Sequence, residues 1–426
     1  MSLFSALNTS VSGLTSEAVA FGDISDNVAN SQTTGYKRID TDFVDYLSTS
    51  NTDINDPGAV VAHPVYQNTI PGTITNTDNP LALAISGGGF FAVSQGQQAG
   101  NGSLTFDPQQ YYSRDGDFQL DKNGYLVNGS GYYLNGWQVD STGSPIRNAL
   151  APIQVTQLTD QPVATSTVTL NANLPSNGAS STSPVSSQIT VYDSVGATHQ
   201  LTLSFTPVTT SSNSWTLNAT DENGNTIGTA TVNFSANGAL SSVTQGTSTT
   251  STPGSTANIT LSTLYPTTTG TQSISLNVGT IGGGSGLTQY ALGTSYTLRG
   301  LTQNGVPPGS FQKITTTSAG DVVANFDNGQ SRVVARVPVV TFPAPDALQR
   351  EDGSAFTAST GSGVGLAHDA GSSGAGSLIT MSTEASNVDI SSEFTKLIVA
   401  QRAYSANAKM VTTADDMLQD TLDMKR

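Results

Sequence analysis

Near both ends of the chain, apolar residues recur at alternating steps of three and four; between the ends, they alternate with polar ones. Phe4, Leu7, Val11, Leu14, Ala18, Phe21, Ser25 and Val28 keep the first rhythm, which puts side chains on one seam of an α-helix. Phe394, Leu397, Gln401, Tyr404, Ala408, Val411, Asp415, Leu418 and Leu422 repeat it, and Ile390, Ile398, Met410 and Met417 widen its apolar face. Asp389 and Glu393 stand where a helix start favours acids, and Lys425 and Arg426 where its end favours bases. Such helices would be about 40 and about 50 Å long. Neighbouring sequence offers neither seam a cover. The seams either pack on a globular body or pair with each other and with further copies of the chain. A lone pair of helices would be marginal, because one narrow seam must offset the ordering of both.

The middle of the chain reads as β-structure. Alternation is plain in TVTLNANL at 167–174 and in QITVYDSVGATHQLTLSF at 188–205. In the second stretch Ile189 and Val191, then Leu201, Leu203 and Phe205, share faces on two strands, with the turn at Asp193–Ala197. Asn123-Gly124, Asn223-Gly224, Asn237-Gly238 and Asn328-Gly329 separate alternating runs, as hairpin turns do. The fold class expected is mixed: a discontinuous terminal helical, coiled-coil-like domain plus mostly-β inner and outer domains of sandwich or barrel character. The bounds expected are 1–32 with 387–426 for the helical domain and 33–72 for a connector. The inner β-domain is expected at 73–148 with 296–386, and the outer one at 149–295.

Composition narrows the function classes. A chain of 426 residues is long for one core. The net charge of −16 argues against a nucleic-acid partner, which needs a clustered basic surface. With no cysteine there is neither a disulfide framework nor a thiolate metal site. The start, MSLFSALNTSVSGL, lacks the basic and continuous apolar parts of an ordinary signal peptide, and no run approaches a membrane span, so membrane insertion is not expected.

No catalytic constellation emerges. The three histidines, His63, His199 and His368, are scattered, and there is no HExxH, GxSxG or Walker lysine. RDGDFQLDKNGYL at 114–126 gathers Asp115, Asp117 and Asp121, but the calcium-loop spacing and its closing glutamate are missing, so a hairpin with polar turns is the better reading. No catalytic, cofactor-binding or metal residue is assigned, and no cofactor is expected.

The terminal segments carry a resemblance. SALNTSVSGLTSEAVAFGDISDNVANSQTTGYKR at the start and SNVDISSEFTKLIVAQRAYSANAKMVTTADDMLQ near the end are similar to the paired signatures of the bacterial flagellar rod and hook protein family. ISGGGFFAVS at 85–94 and YYSRDGDFQLDKNGYLVNGSGYYLNGW at 111–137 resemble that family's first β-domain. The length and the added outer β-domain fit its hook-type members, with a distal rod protein or a secreted β-rich adhesin or carbohydrate-binding protein as alternatives.

The resemblance implies a non-enzymatic subunit of a flexible tube that passes torque from rod to filament. It implies a helical homopolymer that meets rod, hook cap and hook–filament junction proteins, and export by the flagellar type III apparatus to the hook outside the cell. It also implies that Phe4, Leu7, Val11, Leu14, Phe21 and Val28 pair with Phe394, Leu397, Tyr404, Val411, Leu418 and Leu422. The connector would touch neighbouring subunits, with acidic groups there as partners for Lys37 and Arg38 beside Tyr36.

Overall fold

The computed structural model describes residues 3–50, 55–98, 104–140, 142–155, 159–176, 184–211, 213–265, 271–291 and 295–424. It divides into two compact units. The first comprises Met1–Gln157, Lys313–Asn325 and Ser331–Arg426, and the second Leu158–Gln312 and Phe326–Gln330.

The first unit begins with helix α1 (Leu3–Ala29) and ends with helix α2 (Ile390–Asp423). After α1 the chain forms an antiparallel ribbon of β1 (Ile39–Ser50) and β2 (Asn55–Tyr66). The ribbon lies within the 33–72 segment expected as a connector. Asp42, Asp45 and Pro64 disfavour an ordinary strand, but a two-stranded ribbon is all edge, where such residues are tolerated. The outer edge of β2 is closed by α1: the Ser16 hydroxyl donates to the Val60 carbonyl (2.8 Å), and the Val60 N–H donates to the Ser12 hydroxyl (3.1 Å).

The β-domain of this unit is woven from early and late segments of the chain. Phe91–Gln98 pairs with Tyr111–Ser113 and with Tyr132–Gln138. The late strands return onto the early ones: Ala355–Thr357 on Tyr111–Ser113, Ser377–Thr380 on Leu83–Ser86, and Ser382–Glu384 on Ile74–Asn76. Phe90, Tyr112, Phe342 and Phe356 fill one core, with Phe90 and Phe356 edge to face at 5.5 Å between ring centroids. The return strands deliver α2 beside α1, so the topology, rather than a local signal, brings the two ends together.

The second unit is a two-sheet sandwich. One sheet is an antiparallel meander of six strands from Val185–Tyr192 to Ser248–Thr250. Its first hairpin joins Val185–Tyr192 to Thr198–Pro207 around the Asp193–Ala197 turn, whose Val195 and Ala197 N–H groups donate to the Asp193 carboxylate. In the other sheet Thr167–Asn173 lies parallel to Thr271–Thr280 and antiparallel to Thr297–Gln303. That last strand lies beyond the expected 149–295 bounds. Leu201, Leu203, Phe205, Trp215 and Leu217 meet Leu170, Ile259, Leu261, Ile274 and Leu276 in one buried core.

Candidate functional site: the joint between the chain ends

The TTGYKR segment after α1 makes a sequence of contacts that ties three parts of the first unit together. Gly35 has φ of +70°, and a Cβ there would lie 2.4 Å from the Asp115 nitrogen, so only glycine allows this approach. Its N–H donates to the Glu384 carbonyl at 2.8 Å. Tyr36 is buried, with its ring 4.6 Å from the Arg350 guanidinium and its hydroxyl donating to Asn27 Oδ1 at 3.3 Å. Burial raises the Tyr36 pKa above the usual phenol value, keeping it a neutral donor.

Lys37 is the centre of the joint. It is 1% exposed, and its Nζ donates to Glu384 Oε1 at 2.6 Å and to the Ile70 carbonyl at 2.8 Å. Arg114, 2% exposed, donates to Glu384 Oε2 at 2.8 Å and to the Ile85 and Gly87 carbonyls. The Gly72 N–H completes the set on Glu384 Oε1 at 2.8 Å. One buried carboxylate thus holds two cations, and backbone carbonyls take up the excess positive charge. Burial pushes the Glu384 pKa up, but Arg114 and Lys37 outweigh it and leave the pKa below its usual value. Burial lowers the Lys37 pKa, and Glu384 opposes that shift.

The acidic partner of Lys37 is therefore Glu384 of the same chain. This corrects the expectation of an acidic neighbouring subunit: a side chain 1% exposed cannot reach one. Arg38 differs. It is partly exposed and lies 3.4 Å from Asp40, and its N–H donates to Asn387 Oδ1 at 2.7 Å.

Asn27 joins the helices. Its Nδ2 donates to the Ile39 carbonyl (2.7 Å) and to Glu393 Oε2 (3.1 Å), and its Oδ1 accepts from the Ile39 N–H (2.9 Å). Glu393 is buried, and Lys396 bridges it to Asp40. Asp389 caps α2 by accepting from the Ser391 and Ser392 N–H groups.

Along the helices the buried positions are Ser10, Ser16, Ala20, Ile24 and Asn27 on α1, and Glu393, Ala400 and Ala414 on α2. The seam is thus built mostly of small and polar residues, with Ile24 its large apolar member among the described residues, and is rotated from the other large apolar ones. The structure brings Phe21 and Tyr404 together, edge to face at 6.2 Å between centroids, though Tyr404 stays 41% exposed. Leu7, Leu14, Val28, Leu397, Val411 and Leu418 are half-buried flanks, while Val11 and Phe394 are exposed. The side chains of Phe4 and Leu422 lie outside the described residues.

Glu384, Arg114, Asn27 and Glu393 were not legible as site residues. Arg114 offers the one signal, as a lone base in the acidic RDGDF run of a chain with 15 lysines and arginines in all.

Elsewhere, Asp121 accepts from the Asn123 and Tyr125 N–H groups as a hairpin turn does, and Asp117 accepts from Asn79 Nδ2. Among the described residues no three His, Asp or Glu side chains could hold a metal ion. His199 is buried between Asp193 and Glu222 and stacked on Tyr265. No helix among the described residues is long and apolar enough to cross a membrane.

The joint coincides with two family models: flagella basal body rod protein at residues 7–37, and flagellar basal body rod FlgEFG protein C-terminal at 381–424. Between them match the flagellar hook protein FlgE/F/G D1 domain at 84–179 and the flagellar basal body protein FlaE D2 domain at 137–306. The chain is 32% identical to the flagellar hook protein FlgE of Salmonella typhimurium, over 99% of this chain and all of that one. It is also 32% identical to the Rhizobium meliloti hook protein, over the full length of both. A solved Helicobacter pylori flagellar hook protein FlgE2 is similar over 71% of this chain and 98% of that one, at 14% identity and a TM-score of 0.46. On the full-length identity to hook proteins, from first helix to last, this chain belongs to the flagellar hook protein FlgE family.

Proposed function

We propose that the chain is the structural subunit of a bacterial flagellar hook, polymerising with copies of itself into a flexible tube that passes torque from rod to filament. The observation that carries this is the full-length likeness to hook proteins. It is supported by helices that leave large apolar side chains bare: Phe394 is 51% exposed, Val399 63% and Met410 56%. Such a helix pair is stable where further copies cover it. The tube's ends would meet rod, hook-cap and hook–filament junction proteins. Export through the flagellar type III apparatus fits a cysteine-free chain, which has no disulfide to obstruct threading. With 11% charged residues, the polar contacts between copies would be mostly neutral hydrogen bonds, which exchange with water as subunits slide. The role is mechanical, with no catalysis.

Limited proteolysis of monomer and of assembled material, with electron microscopy of both, tests this. The expected result is rapid loss of α1 and α2 in the monomer and their protection in tubes. Protected helices in a monomer that never forms tubes would overturn it.

A further inference from the structure

The β1–β2 ribbon has a bare face. Asp42, Val44 and Tyr46 of β1 point to one side, as alternate residues of a strand must, and lie opposite His63, Val61 and Ala59 of β2. All except Ala59 are exposed. Two-stranded ribbons are marginal in water unless a further layer covers an apolar face; α1 closes the edge of this one and, through Asp23, holds Thr41 on its other face.

A matching surface lies on α2. Ile390, Phe394, Ile398 and Arg402 follow at steps of four and form a single ridge, and all four are exposed. The ridge lies off the seam that faces α1, which is marked by Glu393 and Ala400. It is about 18 Å long, and the bare stretch from Asp42 to Tyr46 is about 13 Å. Three apolar side chains and one base thus match, in kind and in length, an apolar ribbon face with an acid at one end. Among the described residues neither Asp42 nor Arg402 has an ion-pair partner.

We infer that the bare face of the ribbon receives the Ile390–Arg402 ridge of a second copy of the chain, with Arg402 of one copy beside Asp42 of the next. The two surfaces differ, so the contact is head to tail and leaves the pair with one free ridge and one free ribbon. Such a contact propagates instead of closing into a dimer. The inference rests on the assembly reading above and names the surfaces that assembly uses.

The test compares wild type, Asp42→Lys, Arg402→Glu and the double charge swap, each as full-length chain whose monomer melts as wild type does. Each single reversal is expected to raise the critical concentration for tube formation by about three- to tenfold, and the swap to restore it. Independently, oxidised tubes of a Val61→Cys/Phe394→Cys chain should give a ladder of covalent multimers, and neither single variant should. The absence of native cysteine makes that readout clean. Wild-type-like assembly of the reversals, a swap that fails to rescue, or tubes without a ladder would overturn this docking and leave the assembly reading standing. Covalent dimers from Val61→Cys alone would overturn it in favour of ribbon on ribbon. A wild-type chain that forms no tubes would remove the assembly reading together with the docking.

Discussion

Glu384 shows how much one residue can hold in a chain poor in charge. Its carboxylate takes Lys37, Arg114 and the Gly72 N–H at once, so removing it strands two buried cations. Glu384→Ala should destabilise the first unit by about 3 to 5 kcal/mol, read from urea unfolding. Lys37→Met should cost far less, because Arg114 still pairs with the carboxylate and the methionine stem fills the same space. Asp115 behaves in the opposite way. Burial pushes its pKa up to about 6. The folded state therefore holds a proton that the unfolded chain releases near its ordinary carboxylate pKa, and stability falls as pH rises from the unfolded value through the folded one. Asp115→Asn should remove that slope between about pH 4 and pH 6 and raise stability at pH 7 by on the order of 2 kcal/mol. Thermal melts of both proteins across that range would check it. A variant that melts lower than wild type at pH 7 would mean that the ionised carboxylate is favourable.

At the scale of elements, the contact between α1 and α2 is close because its buried residues are small. Ala20 and Ala400 are nearly inaccessible, and a Cβ added at Gly13 would lie 2.9 Å from Asn407 Nδ2. Ala400→Leu should overpack this seam and cost about 1 to 3 kcal/mol. Hydrogen exchange should localise the loss to α2, with the second unit unchanged. Periodicity located both helices, since a three–four rhythm sustained along each end matches the α-helical repeat and no strand repeat. It did not identify the buried seam. In an isolated pair the largest apolar residues are expected inside, whereas here Phe394, Ile398 and Met410 are exposed and alanines lie within. The β1–β2 ribbon was missed for a related reason: its aspartates and proline are poor strand formers, and what sustains it is α1 along its edge.

For the whole molecule, assembly explains residues that the monomer leaves unexplained. Phe394→Ser and Ile398→Ser change exposed positions and should shift monomer stability by less than about 0.5 kcal/mol. The same variants should impair tube formation, measured by sedimentation and electron microscopy. A large loss of monomer stability would instead mean that these side chains pack within the chain. The separation of effects follows from a polymer subunit keeping part of its apolar surface for its neighbours.

Local pattern was sufficient for the helical ends, the alternating strands of the second unit and the Asn-Gly turns, because each depends on side chains a few residues apart. The TTGYKR loop was visible as the end of the first terminal signature, with Lys37 and Arg38 beside Tyr36. Its partners were not, since Glu384 stands 347 positions from Lys37 and no spacing rule spans that interval. Only the return of the late strands onto the early ones decides that Lys37, Arg114 and Glu384 meet, and that α2 lies beside α1. Burial then turns a Lys-Arg pair expected to meet neighbouring subunits into one buried anchor and one partly exposed group, because an ion taken out of water must find its counter-ion within the fold.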